Sequence, residues 1–170
     1  MIESMEKPSI ATLFGYCLGG GLELPLACHF RLAADTGASI GLPEVELGVV
    51  PAWGGTARLT RCVGRNHALD LMLRARKIDG HEALKIGLVH SVHPLAQLKA
   101  AANALARELA AMPPLAVAGI LRCVVGAGAA SLQDALAEER RAVLRCAGTR
   151  DQQEGFAAFL AKRKPVFAGG

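Results

Sequence analysis

Two glutamates stand among apolar residues, where an acid is unusual. Glu23 directly follows three glycines in the stretch GYCLGGGLELPLACHF, and Glu44 lies in GLPEVELGVVP. A carboxylate is costly to bury without a partner, so each of these side chains needs a structural or chemical role. Two carboxylates in one site can hold a water molecule and move a proton, which is the chemistry of general acid–base catalysis.

The glycines add the second component of such a site. Gly19, Gly20 and Gly21 allow the backbone to approach a ligand closely, and a helix is predicted directly behind them, over residues 22–28. The N–H groups at a helix N-terminus can stabilise an oxygen that gains negative charge. One such amide and two carboxylates suit enolate chemistry next to a carbonyl group, whereas Glu46 is interpreted as an ordinary solvated acid.

Other motifs predict less. Leu24 occupies the place of the third glycine of a dinucleotide-binding G-x-G-x-x-G, so that function is not favoured. Residues 37–41, GASIG, match the nucleophile elbow of serine hydrolases, but Leu42 and a proline follow where a helix should begin. Acyl hydrolysis through Ser39 is therefore a weaker alternative. Lys85 stands where a zinc motif would need its second histidine, and we predict neither a metal site nor a cofactor.

The elements that must position these residues form an α/β layer followed by helices. Strands are predicted over residues 10–14 and 30–33, on either side of the helix at 22–28, which makes a parallel βαβ unit if Pro25 falls near the first helical turn. The remaining predictions are a strand at 89–92, helices at 65–74, 95–112, 115–125, 131–146 and 152–163, and capping boxes at Asp79/Glu82 and Thr149/Gln152.

Composition narrows the class of protein. The chain has 170 residues, 52% of them hydrophobic, and a net charge of +4. Its basic residues are scattered without interleaved aromatics, so no nucleic-acid partner is expected. Five isolated cysteines favour reduced thiols and a cytoplasmic location, and no apolar run is long enough to predict a membrane span.

Four motifs in order resemble the enoyl-CoA hydratase/isomerase (crotonase) family. They are KPSIATLFGYCLGGGLEL, CHFRLAADTGASIGLPEVELGVVPAWGGTARLTRCVG, ARKIDGHEALKIGLVHSV and FAAFLAKRKPVF, and together they cover essentially the whole chain. The resemblance implies part of a crotonase-like ββα superhelix with parallel strands. Residues 1–94 would form the C-terminal portion of the α/β core, and residues 95–170 a helical trimerisation block.

The resemblance also implies roles for particular residues. Gly20 would donate its amide to the thioester oxygen of an acyl-CoA, and Glu23 and Glu44 would match the two family glutamates. They would hold one water, with Glu44 exchanging the proton at Cα, in the hydration of a trans-2-enoyl thioester. The acyl group would be lined by Leu18, Gly19, Pro51, Trp53 and Gly54. Phe159 and Lys162 would contact the adenine end of CoA.

Such a protein would be a lyase of fatty-acid β-oxidation that acts on an acyl-CoA thioester without a separate cofactor, as a homotrimer or hexamer. Isomerase, dehydratase, hydrolase or decarboxylase activity of the same family stays open, as does a catalytically impaired protein that serves as an oligomerisation partner. Trp53 takes a position that is often small in the family, so we expect a narrowed or reshaped acyl pocket. Pro25 and His29 replace a frequent alanine and aspartate.

The resemblance begins inside the family's domain. The family's preceding ββα turns carry most of the CoA channel and a second oxyanion N–H, and they are not in this sequence. A fragment, a misplaced start and a natural truncation all fit this difference. We expect the 170 residues alone to be poorly active, by at least ~10²-fold, and to self-associate.

Overall fold

The computed structural model describes residues 2–170, which contain five strands and seven α-helices. Contacts group residues 9–104 into one compact unit, which we call the core unit, and residues 2–8 with 105–170 into another, which we call the C-terminal unit. The strands are β1 (Ile10–Leu13), β2 (Tyr16–Leu18), β3 (Phe30–Ala34), β4 (Ser39–Gly41) and β5 (Ser91–His93). The helices are α1 (Gly20–Ala27), α2 (Gly55–Leu73), α3 (Gly80–Lys85), α4 (Leu95–Ala110), α5 (Pro114–Ala127), α6 (Leu132–Cys146) and α7 (Arg150–Leu160), with 3-10 helices at Ile2–Ser4 and Glu44–Leu47.

Parallel strands form the two small sheets of the core unit. One has the order β1-β3-β5 and the other pairs β2 with β4. The predicted parallel βαβ unit is confirmed, because α1 lies between β1 and β3 in the chain and these strands pair in parallel. The strands β2 and β4 were not predicted, since three residues are too few to reveal an alternating pattern.

The core is aliphatic, as expected from a chain with 4% aromatic residues. Eight large side chains of the core unit are almost fully buried: Leu13, Leu22, Leu32, Ile40, Leu42, Leu59, Leu71 and Leu88. Leu22 lies on α1 and Leu42 directly follows β4, so the same hydrophobic cluster anchors the segments that carry Glu23 and Glu44. Burial of these side chains is what holds the two glutamate segments in place.

A buried arginine secures the end of α1. Arg31 on β3 is 8% exposed, and its guanidinium donates to the carbonyls of Cys28 and Leu88, each at 2.7 Å. A cation near the last carbonyls of a helix satisfies orphan acceptors and opposes the helix dipole. Pro25 lies inside α1, beyond the first turn where we expected it. The helix tolerates it because the helix ends two residues later, at Ala27, and loses only one internal hydrogen bond.

In the C-terminal unit, α5 packs on α6 and α7 holds the chain terminus. A β-carbon at Gly119 would lie 3.1 Å from the β-carbon of Ala142, so α5 and α6 approach closely at this point. Both predicted helix caps are present in part. Asp79 accepts a hydrogen bond from the Glu82 N–H, and Thr149 from the Gln152 N–H, but the glutamate side chain turns to Arg76 instead.

Among residues 2–170, no single helix is long and apolar enough to cross a membrane. Only α4 and α5, taken together as a bent pair, reach the required length and composition.

Candidate active site

The three glycines form the turn between β2 and α1. Gly19 has φ = 56° and ψ = −126°, a conformation that favours glycine, and its N–H donates to the Gly41 carbonyl of β4 at 3.1 Å. Gly20 and Gly21 are the first two residues of α1. The N–H groups of a first helical turn have no partner within the helix, so the half-buried Gly20 presents its amide at the helix N-terminus.

Glu23 lies in the first turn of α1 and is buried, with 4% of its surface exposed. Its Oε1 atom accepts hydrogen bonds from the main-chain N–H groups of Trp53 at 2.8 Å and Gly55 at 2.9 Å. Gly55 is the first residue of α2, so the carboxylate also lies at the positive N-terminal end of this helix, which is broken at Gly64, where φ = 78° and ψ = 165°. The hydrogen bonds from these two amides explain why a buried carboxylate is tolerated at this position.

Glu44 begins the 3-10 helix Glu44–Leu47, with Pro43 as its N-cap. Its carboxylate reaches the glycine turn, because a β-carbon at Gly19 would lie 3.3 Å from Glu44 Oε1. The other oxygen, Oε2, is buried and has no hydrogen-bond partner among residues 2–170. Buried polar atoms are nearly always paired, so an unpaired carboxylate oxygen beside a helix N-terminus is a feature that a ligand would explain.

The glycine-rich turn after Pro51 completes this cluster. The Trp53 side chain lies on Gly20, where an added β-carbon would be 2.6 Å from the indole Cζ3 atom. Gly54 is the N-cap of α2 with φ = 93°. Leu18 ends β2, next to Gly19, and pairs with Gly41. The structure thus brings Gly19, Gly20, Glu23, Glu44 and Trp53 together, with Leu18 and Gly54 as chain neighbours.

Phe159 and Lys162 belong to the C-terminal unit. Phe159 is 79% exposed on α7, and Lys162 lies just beyond that helix with φ = 53°. Their predicted contact with CoA stays a prediction.

Three residues of the site were missed at the sequence level. Gly55 supplies the second amide to Glu23, Arg58 Nη1 donates to the Trp53 carbonyl at 2.9 Å, and the Gly41 carbonyl accepts from Gly19. The doublet of glycines after Trp53 was the available signal for the first of these. The other two contacts join segments that are distant or irregular, so no spacing in the sequence reveals them.

The structure contradicts the interpretation of Ser39 as part of a nucleophile elbow. Ser39 begins the strand β4, and a 3-10 helix starts only at Glu44, so the strand–turn–helix geometry of a nucleophile elbow is missing. A thiol nucleophile in the adjacent strand is also disfavoured, because burial raises the pKa of Cys17. Within the part of the chain that the structure describes, no three His, Cys, Asp or Glu side chains are grouped as metal ligands.

Comparison with known proteins decides the family. A family model described as enoyl-CoA hydratase/isomerase matches residues 1–170. The chain belongs to the enoyl-CoA hydratase/isomerase family. Among related enoyl-CoA hydratases, it is 42% identical over 166 residues to a Mycobacterium tuberculosis protein named "Probable enoyl-CoA hydratase echA8". It is 39% identical over 163 residues to the short-chain-enoyl-CoA hydratase of Clostridium acetobutylicum.

Solved structures confirm the crotonase-like fold. The crystal structure of an enoyl-CoA hydratase from Bacillus anthracis superposes with a TM-score of 0.94 at 38% identity, covering 99% of this chain and 65% of that one. The two sequence relatives are covered to 64% and 62% of their lengths, and they cover 98% and 96% of this chain. The chain therefore spans less than two thirds of the length of these enoyl-CoA hydratase relatives.

Proposed function

We propose that this chain carries the two catalytic glutamates of an enoyl-CoA hydratase, which adds water across the 2,3 double bond of a trans-2-enoyl-CoA thioester. The observation that carries the proposal is the position of Glu44. Its carboxylate lies beside Gly19 with one buried oxygen unpaired, next to the free N–H groups at the start of α1. A proton-transferring carboxylate and an oxyanion donor are thus adjacent.

In this mechanism the Gly20 amide donates to the thioester oxygen. The negative charge that reaches this oxygen when the double bond is attacked is stabilised by the amide and by the dipole of α1. A water held between Glu23 and Glu44 adds its hydroxyl group to Cβ and leaves its proton on the carboxylate pair. Glu44 delivers a proton to Cα, so the net change is the addition of one water. The reverse reaction removes the same proton.

The hydrogen bonds of Glu23 support its share in this scheme. Both amide donors bind Oε1, which orients the carboxylate rigidly. Oε2 is then the oxygen through which Glu23 would hold the water, while Glu44 would exchange protons. Family members that retain both glutamates resemble hydratases, whereas many isomerases lack one, so hydration is favoured over isomerisation.

The remaining parts of the proposal concern CoA and assembly. The substrate brings its own coenzyme A, so no separate cofactor is required. We propose that Phe159 and Lys162 contact the adenine end of CoA, because the positive charge of a lysine can bind the phosphate groups of CoA. The C-terminal unit exposes Phe156, Phe159 and Leu160 on α7, and exposed apolar side chains of this size favour contact with other copies in a trimer or hexamer.

The experiment is an assay with crotonyl-CoA and purified protein, which follows loss of the conjugated enoyl thioester by its absorbance. The proposal predicts conversion to a 3-hydroxyacyl-CoA. In a parallel assay with a 3-enoyl-CoA, conversion to a 2-enoyl-CoA without hydration would favour the isomerase alternative. A chain that assembles in solution but neither binds nor converts any acyl-CoA would favour the oligomerisation partner.

A further inference from the structure

The indole of Trp53 rests on the backbone of the glycine that we assign to the oxyanion site. A β-carbon at Gly20 would lie 2.6 Å from Cζ3 and 3.0 Å from Cε3. The six-membered part of the ring therefore covers the α-carbon of Gly20, and no larger residue would fit beneath it without moving the ring. The side chain is nevertheless 76% exposed, so most of the ring surface remains accessible to solvent.

The main chain of Trp53 is held on both sides. Its N–H donates to Glu23 Oε1 at 2.8 Å, and its carbonyl accepts from Arg58 Nη1 at 2.9 Å. Gly55, two residues later, donates to the same Oε1 atom at 2.9 Å. The backbone is consequently fixed next to α1, and the ring can leave Gly20 only by rotating its side chain.

We propose that Trp53 determines which acyl-chain lengths the site accepts. Its ring forms a wall that admits short acyl-CoA thioesters and disfavours long ones. This role presupposes the proposed function, because it requires the thioester oxygen at the Gly20 amide. A methylene chain needs ~4 Å between its carbons and each wall. The ring already touches Gly20, so a long chain leaving the carbonyl on this side must displace the indole, whereas a butyryl or crotonyl group can end before it.

The fluorescence of Trp53 can report binding at this site, because Trp53 is the only tryptophan of the chain. We would titrate the 170-residue chain with butyryl-CoA, octanoyl-CoA and free CoA and record the tryptophan emission. The two acyl thioesters lack a double bond and are not hydrated. Butyryl-CoA is expected to change the emission and to bind at least ~10-fold more tightly than octanoyl-CoA, the lower range for discrimination by an apolar pocket.

Three variants test whether the Trp53 ring itself sets the preference for short acyl chains. Trp53→Ala removes the ring, and Trp53→Phe keeps an aromatic side chain at the same backbone position if the alanine variant folds poorly. Val50→Ala, which is a truncation of another exposed apolar side chain of this segment, is the matched control. Because both Trp53 variants lack the only tryptophan of the chain, titration calorimetry measures the affinities of all proteins.

Trp53→Ala should raise the affinity for octanoyl-CoA relative to butyryl-CoA by at least ~10-fold. Trp53→Phe should raise this ratio by less. Val50→Ala should leave the ratio unchanged. A wild-type chain that binds both thioesters, with a ratio that Trp53→Ala does not alter, overturns the role of Trp53 while the proposed function stands. Failure of the wild-type chain to bind either thioester overturns both.

Discussion

Glu23 Oε1 accepts a 2.8 Å hydrogen bond from the main-chain N–H of Trp53, thirty residues further along the chain. One carboxylate oxygen thereby joins the start of α1 to the turn that carries the indole. The same oxygen takes the N–H of Gly55, so the acid beside the glycines has a structural task in addition to the chemistry we propose for it.

Removal of the Glu23 side chain should destabilise the fold. Glu23→Ala leaves the N–H groups of Trp53 and Gly55 without their acceptor, and each unsatisfied buried donor costs ~1–3 kcal/mol. We expect the free energy of unfolding to fall by about 2–6 kcal/mol in urea denaturation. Glu46→Ala is the control, because it removes an exposed ion pair with Lys77 and should cost at most ~1 kcal/mol. Equal losses would contradict the anchoring role of Glu23.

Two glycines should respond differently to the same substitution. In Gly55→Ala the new β-carbon would lie 2.8 Å from Glu23 Oε1 and 3.0 Å from Leu42 Cδ1, both held in the core, so we expect a loss of ~1–3 kcal/mol. In Gly20→Ala the obstacle is the exposed Trp53 ring, which can rotate. That variant should lose less than ~1 kcal/mol but shift the tryptophan emission. The reverse order of stabilities would contradict this packing.

The kcat for crotonyl-CoA hydration tests whether Glu44 transfers the proton. In an active preparation, Glu44→Gln should lower kcat for crotonyl-CoA by at least ~10²-fold, because a glutamine cannot transfer the proton. Glu46→Gln, two residues away and exposed, should have little effect. Similar losses at both positions would mean that Glu44 is not the proton-transferring carboxylate.

A carboxylate in the C-terminal unit predicts a pH dependence of stability. Hydrogen bonds from Arg163 and from the Val166 N–H lower the pKa of Glu154 to about 2. Since the pKa is lower in the folded state, the stabilisation is complete above the ordinary value of 4.5 and is lost as the pH falls towards 2. Glu154→Gln should therefore lower the melting temperature at neutral pH, with a difference from wild type that closes below pH 4.5. A loss of melting temperature in Glu154→Gln that stays the same at every pH would contradict this role of the Glu154 carboxylate.

The sequence predicts the elements that carry the site better than the contacts within it. Glu23 and Glu44 are conspicuous because acids are costly in apolar surroundings, and the strand–glycine–helix order places Glu23 in a first helical turn. The partner of Glu23 was not predictable, because its amide donors come from an irregular turn and a main-chain N–H leaves no mark on residue type. The strands β2 and β4 have three residues each and carry too little pattern.

The packing of the Trp53 ring was also not predictable from the sequence. The residue type indicated a bulky group near the acyl pocket, but its position on Gly20 follows from the hydrogen bonds of its backbone to Glu23 and Arg58. Such a position depends on tertiary geometry and cannot be read from spacing.

The most direct test of the proposed water addition is the product formed from crotonyl-CoA in ¹⁸O-labelled water. If Glu23 and Glu44 hold a water that attacks Cβ, mass spectrometry should find a 3-hydroxyacyl-CoA that is heavier than crotonyl-CoA by one labelled water, with the label on Cβ. Glu44→Gln should form this product at least ~10²-fold more slowly. An unlabelled positional isomer of the substrate, or free CoA with a labelled carboxylic acid, would contradict the hydratase account.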